Sequence, residues 1–312
     1  MPVVHASGRC NFSLPLLDGE PLSVSAGGAV HLTRILDPDR DLYLGDHRLD
    51  GRPVLPAAVA MELIAEVAHR GWPGLEISEL RSFRVLNGVV LDKATRSIRI
   101  LARAETQPSA ERMELALDVS IVDPETNRPF YKASVLLSDR LPEPPPVRLA
   151  PLRDPRPFPL SVQESYARWL FHGPLMQGIV RVAGIGEEGI SGILRSSRPS
   201  ACMKEPGGGD WLIDPVVVDS AFQLGILHSR SRYDMTPLPS RFRRFRRFAP
   251  LSGRTIGCEF RSRAVAGGQI LEIQIDFVDE NGRLLGCVED MELSCSRELN
   301  RLAGNGAGGG PR

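Results

Sequence analysis

Apolar and polar residues alternate near period two over residues 97–104, 113–122 and 130–137, with the turn-like Asp123-Pro124-Glu125-Thr126-Asn127 between the last two. That spacing predicts antiparallel strands with one buried face. A shorter apolar run at residues 29–36, bounded by Gly, Asp and Pro, predicts a further strand within residues 1–46. Between them, residues 57–68 read Ala-Ala-Val-Ala-Met-Glu-Leu-Ile-Ala-Glu-Val-Ala, an apolar helix, and Pro56 suits its first turn, where a missing N–H costs nothing. One helix packed on an antiparallel sheet is the expected layering, an α+β fold.

The plan then recurs. Residues 178–194 predict strands, residues 214–227 an apolar helix, and residues 255–263, 269–279 and 283–294 three more strands, with Asn281-Gly282 as a hairpin turn. A proline-dense stretch beginning Leu141-Pro142-Glu143-Pro144-Pro145-Pro146 separates the copies. The expected organisation is a first half over residues 1–140, a linker over 141–160, a second half over 161–295, and a disordered tail over 296–312, which ends Gly-Ala-Gly-Gly-Gly-Pro-Arg. With Pro56 set against Pro215, Asp219 falls opposite Ala60, Gln223 opposite Ile64, and His47 opposite Pro206. One copy carries a histidine and the other a carboxylate, as two fused copies sharing one composite site would.

Composition narrows the partners. Among 312 residues, 38 Lys and Arg balance 38 Asp and Glu, so no overall basic field argues for nucleic acid. Only Lys93, Lys132 and Lys204 are lysines, a weak sign of a GC-rich genome. Five widely spaced cysteines without a C-x-x-C pair argue against a disulfide framework or a zinc site, so no metal is expected. No leader pattern opens the chain and no apolar run reaches membrane-spanning length, so the expectation is a cytoplasmic protein with no membrane partner. Gly184-x-Gly186-x-x-Gly189 matches a dinucleotide fingerprint, but Glu187 and Glu188 would face the pyrophosphate and no helix follows, so a hairpin turn is expected there.

Two constellations carry chemistry. His47 sits in the Gly/Pro-rich loop 46–56 just before a helix whose first amides have no partner within the helix, an arrangement suited to removing a proton beside a carbonyl whose oxygen needs stabilising. Asp219 and Gln223 are spaced i, i+4 and share one face of the second helix. An ordinary aspartate is ionised at neutral pH, so acting as an acid requires its pKa to rise by about three, or roughly 4 kcal/mol, which desolvation can supply. An ordinary histidine is mostly neutral there and can accept a proton.

His47-x-x-x-Gly51-x-x-x-x-Pro56, His172-Gly173-Pro174-Leu175-Met176-Gln177-Gly178 and Asp219-x-x-x-Gln223, in that order, resemble the signature motifs of the dehydratase domains of polyketide synthases. Around His47 the resemblance is greatest to iterative synthases that make polyunsaturated fatty acids or enediyne-type polyenes. The resemblance implies a double hotdog fold and loss of water from a 3-hydroxyacyl thioester carried on the phosphopantetheine of an acyl-carrier protein. No metal or redox cofactor is implied; neighbouring synthase domains and a homodimer are. On this reading His47 takes the C2 proton, Asp219 protonates the leaving hydroxyl, Gln223 holds Asp219 or that hydroxyl, and the amide of Ala57 receives the thioester oxygen. Gly51, Pro56, His172, Gly173, Pro174 and Met176 are expected around the substrate. Ala57 stands where the family usually has glycine, His172 where it has tyrosine, and Met176 where it has phenylalanine.

A further feature is the run Arg241, Arg243, Arg244, Arg246 and Arg247, interleaved with Phe242, Phe245 and Phe248. It is either a strand with a solvated arginine face or, through Arg243, Arg244, Arg246 and Arg247, a docking surface for an acidic carrier protein. Alternatives to dehydration are double-bond migration or cyclisation on the same fold, a hotdog thioesterase, and a catalytically silent acyl-binding or scaffolding module.

Overall fold

A computed structural model describes residues 14–17, 21–25, 28–105, 114–146 and 149–303. Cys10, the first residue of the expected 113–122 strand and the tail beyond residue 303 lie outside them. The first half contains β1 (Ser23–Val24), β2 (Val30–Leu36), β3 (Arg48–Leu49), β4 (Arg52–Pro53), α1 (Ala57–Gly71), β5 (Glu76–Val85), β6 (Arg96–Ala104), β7 (Glu114–Val122) and β8 (Pro129–Ser138). The second contains α2 (Val162–Arg168), β9 (Ile179–Ile185), β10 (Gly189–Arg195), α3 (Pro199–Cys202), α4 (Pro215–Tyr233), β11 (Thr236–Arg247), β12 (Thr255–Val265), β13 (Ile270–Val278) and β14 (Leu284–Ser296).

Twelve strands form one antiparallel sheet in the order β1-β2-β6-β7-β8-β5-β11-β14-β13-β12-β10-β9, while β3 and β4 pair apart. The repeat is visible in that order. The four strands after each helix lie as β6-β7-β8-β5 in one half and β12-β13-β14-β11 in the other, and the halves meet where β5 pairs with β11. At that seam Phe83 stands opposite Phe242 and their rings stack 4.9 Å apart.

Alternation failed to reveal β5 for a local reason. Ser82 adopts φ 51, and the pairing of β5 with β8 shifts register twice, so the two-residue period is broken inside the strand. Residues 236–240 of β11 pair only with β14, leaving one edge open, which is where Pro237 and Pro239 are tolerated without losing a ladder bond. The Gly184–Gly189 segment is a hairpin, closed by the Gly186 amide on the Gly189 carbonyl at 2.9 Å, as its composition predicts. Within the stretch expected to be a tail, Glu298–Leu302 forms a 3-10 turn whose Leu302 is buried in the core.

Both long helices are apolar nearly all round because each lies across the inner face of its half-sheet, and α1 also touches α4. α4 starts sharply. The Asp214 carboxylate caps it by accepting from the Val216 and Val217 amides, with Pro215 in the first turn. In α1, Pro56 proves to be the N-cap and Ala57 the first helical residue.

Candidate active site

Three separate stretches bring the site together. His47 follows a 3-10 turn, Leu42–Leu44, and its backbone bridges to His172 as an isolated β-bridge between the two halves. Asp46 locks that meeting: its carboxylate accepts the Leu175 amide at 2.6 Å and its carbonyl the Gly173 amide at 2.7 Å. Gly173 is required there, since a Cβ would collide with the Asp46 side chain. Asp50 and Gly51, with φ 51 and 77, make the two-residue turn joining β3 to β4, and the chain then returns to His47 through the Val54 amide on the His47 carbonyl.

The imidazole of His47 is buried, with Nδ1 2.8 Å from the Val54 carbonyl oxygen. A carbonyl can only accept, so Nδ1 carries the hydrogen and Nε2 the lone pair. Burial pushes this imidazole down to about 4, against the opposing pull of Asp219, so it is neutral at physiological pH. Its ring is fixed edge-on against Phe171 at 5.4 Å.

Asp219 projects from the second turn of α4, 4% exposed. Its Oδ2 lies 3.2 Å from His172 Nε2 and accepts from Gln223 Nε2 at 2.8 Å. Gln223 is itself fully committed: the same Nε2 donates to the Met176 carbonyl at 2.8 Å, and Oε1 accepts from the Tyr166 hydroxyl at 2.7 Å. It holds the carboxylate, and its side chain also lines the adjoining cavity. Burial pushes the Asp219 carboxyl up, but His172, His47 and Gln223 together outweigh it and hold the group below its ordinary value. The upward displacement that an isolated acid requires is therefore not what the protein provides.

A cavity of about 210 Å³ adjoins this cluster, lined by His47, His172, Asp219 and Gln223 together with apolar side chains that include Leu55, Phe171, Phe222 and Ile226. Ala57 occupies the first helical position, so its amide lies outside the hydrogen-bond ladder of α1 and at the positive end of the helix dipole. Gly51, Pro56, Gly173, Pro174 and Met176 do not line the cavity; they shape the loops that do. Sequence reasoning missed Asp46 and Tyr166. The first was signalled by its place beside His47, whereas Tyr166 carried no signal because its partner is 57 residues away.

The arginines of β11 are all in ion pairs. Arg241 meets Glu292, Arg243 meets Glu289 and Asp290, Arg244 and Arg246 each reach Glu79 and Glu289, and Arg247 meets Glu76 across the seam. A carrier protein docking on Arg243, Arg244, Arg246 or Arg247 would have to compete with these carboxylates.

The family described as polyketide synthase dehydratase domain matches residues 15–117, and that described as polyketide synthase dehydratase N-terminal domain matches residues 144–303. The chain belongs to the polyketide synthase dehydratase domains. Members of this family are hydro-lyases acting on 3-hydroxyacyl thioesters. The dehydratase fold, a double hotdog, is shared with GphF dehydratase 1 at TM-score 0.67 and 19% identity, over 90% of this chain and 98% of that one. It is shared likewise with the dehydratase domain from the CurF module of curacin polyketide synthase, at TM-score 0.68 and 14% identity, over 91% and 100%. In sequence this dehydratase domain is 24% identical over 258 residues to one of the polyunsaturated fatty acid synthase polypeptides of Thraustochytrium sp., which is 82% of this chain and 9% of that protein. The chain thus spans 9% of the length of that curated relative. Among the described residues no helix is long and apolar enough to cross a membrane.

Proposed function

We propose that this domain removes water from a 3-hydroxyacyl thioester held on the phosphopantetheine of a carrier protein, with His47 as base and the His172–Asp219 pair as acid. The observation that carries the reading is the meeting of His47, His172 and Asp219, one nitrogen or oxygen of each lying within 4.8 Å of the others, in the lining of a largely apolar cavity. His47 Nε2 takes the C2 proton, the C2–H electrons become the C2=C3 bond, and the C3–O bond breaks as its oxygen gains a proton and leaves as water. The thioester oxygen gathers charge meanwhile, and the Ala57 amide, free of the helix ladder, donates to it; one such donor is worth about 3 kcal/mol.

Among groups this close, protons belong to the cluster rather than to one residue. In the working state His47 Nε2 is bare and one proton is shared on the His172–Asp219 side, from which it passes to the hydroxyl. After water leaves, the proton on His47 returns across the same cluster. Tyr166 and Asp46, which lie outside the cavity lining, position these groups, and Gln223 holds Asp219 from within it. Homodimerisation, neighbouring synthase domains, a cytoplasmic setting and the absence of any cofactor requirement complete the proposal.

A panel of 3-hydroxyacyl pantetheine thioesters of increasing chain length tests it, with product read by mass and by the absorbance of the conjugated enoyl thioester. Loss of one water with that absorbance is the expected result. Unchanged substrate throughout would reject the reading, while water loss without conjugation would indicate double-bond migration as a further step.

A further inference from the structure

Seen as ligands rather than as an acid and a base, the three central side chains make a set with a well-defined preference. We propose that His47, His172 and Asp219 form a three-ligand seat for a divalent transition-metal ion of the zinc class, and that the ion shuts the active centre when bound.

Two imidazoles and a carboxylate suit zinc and its neighbours in the transition series rather than magnesium or calcium, which take oxygen ligands. The ligand atoms lie within 4.8 Å of one another. The 3.2 Å between His172 Nε2 and Asp219 Oδ2 already matches the edge of a tetrahedron about zinc, about 3.3 Å for bonds of about 2.0 Å. Closing the set requires the widest pair, up to 4.8 Å apart, to approach by about 1.5 Å, within the reach of side-chain rotation. Supporting contacts are also present. The Val54 carbonyl fixes the His47 ring with Nε2 bare, and Gln223 steadies the Asp219 carboxylate. The ion takes the place of the proton between His172 and Asp219, and all three ligands line the cavity, from which water can supply a fourth.

His172 creates this set. With the tyrosine usual at that position only His47 and Asp219 would remain as ligands of this kind. Reading the cysteines for a metal site, as composition suggests, passes over it because no thiol takes part. Binding stands on the geometry of the cluster alone. Its consequence, a blocked elimination, rests on the dehydratase reading, because the ion consumes the His47 lone pair and fills the place of the 3-hydroxyl.

The test is a cobalt(II) titration of the chelator-treated protein without substrate, watching for the visible bands of a four-coordinate ion, beside His172→Tyr and Asp219→Asn. Thermal melting confirms that each variant is folded. Expected are bands at one cobalt per chain, abolished by equimolar zinc, with each variant binding at least about tenfold more weakly. Absent bands in the unaltered protein, or bands of equal strength in both variants, would overturn the proposal. Because turnover is measured separately with chelator present, failure here leaves the dehydratase reading standing, and the reverse also holds.

Discussion

Helices α1 and α4 hold equivalent places in the two halves, and among the polar side chains each buries is a pair one turn apart, Glu62 and Glu66 in α1, Asp219 and Gln223 in α4. The pair in α1 faces protein backbone. Glu62 accepts the Leu212 and Ile213 amides at 2.8 and 2.6 Å, and Glu66 accepts the Leu16 amide at 3.0 Å. Burial pushes both carboxyls up, and for Glu66 the neighbouring Glu62 adds to the effect. In α4 the carboxyl is buried as deeply but faces two imidazoles and a cavity, and is held down. Burial alone therefore does not make a carboxylate functional; what it faces decides whether it ties loops to the core or handles protons.

The largest test of this contrast exchanges the two damages. Asp219→Ala should cost at least about a hundredfold in turnover, the usual range for losing an acid or base, while melting changes little. Glu62→Ala should do the opposite. It orphans two amides, one in a buried residue and one partly buried, and should destabilise by about 2–3 kcal/mol, seen in chemical denaturation, with turnover of the folded fraction retained.

A pH series sharpens the comparison. Carboxyls raised in the folded state bind more protons there than in the unfolded chain. The stability that Glu62 and Glu66 contribute is therefore complete below their ordinary value of 4.5 and is lost as pH climbs through their raised folded values. The contribution of this pair should fall from about pH 5 into the alkaline range, so the difference in unfolding free energy between the unaltered protein and Glu62→Gln should change with pH over that window. A curve unaltered by that substitution would contradict the assignment.

Tyr166→Phe removes the hydroxyl that fixes Gln223 and should lower kcat by about tenfold, the worth of one buried hydrogen bond, with KM nearly unchanged. Arg243→Ala breaks two surface pairs, with Glu289 and Asp290, and should alter stability by less than about 1 kcal/mol and turnover of carrier-bound substrate not at all. A salt-dependent loss of that turnover would instead mark β11 as a docking face.

Much of this was legible in the chain. Period-two alternation located the regular strands, two proline-led apolar helices revealed the repeat, and His47 with Asp219 stood out as polar residues in apolar or Gly/Pro-rich settings. What was hidden depends on three dimensions. The bulged β5 had lost its period, Tyr166 reaches Gln223 only after the second half closes, and the ionised state of Asp219 is set by His172 from a distant loop. The arginines of β11 read as free charge because their carboxylate partners come from β5 and β14. Glu62 and Glu66 read as ordinary helix residues, since nothing local shows that both end up buried.

The central claim is that one elimination is divided between a base from the first half and an acid from the second. Water loss from a single 3-hydroxyacyl pantetheine thioester, followed by mass spectrometry for the unaltered domain, His47→Ala and Asp219→Asn side by side with chelator present, tests it most directly. The account predicts the enoyl product from the unaltered domain and at least about a hundredfold less from each variant. Product formed at the unaltered rate by either variant would contradict it.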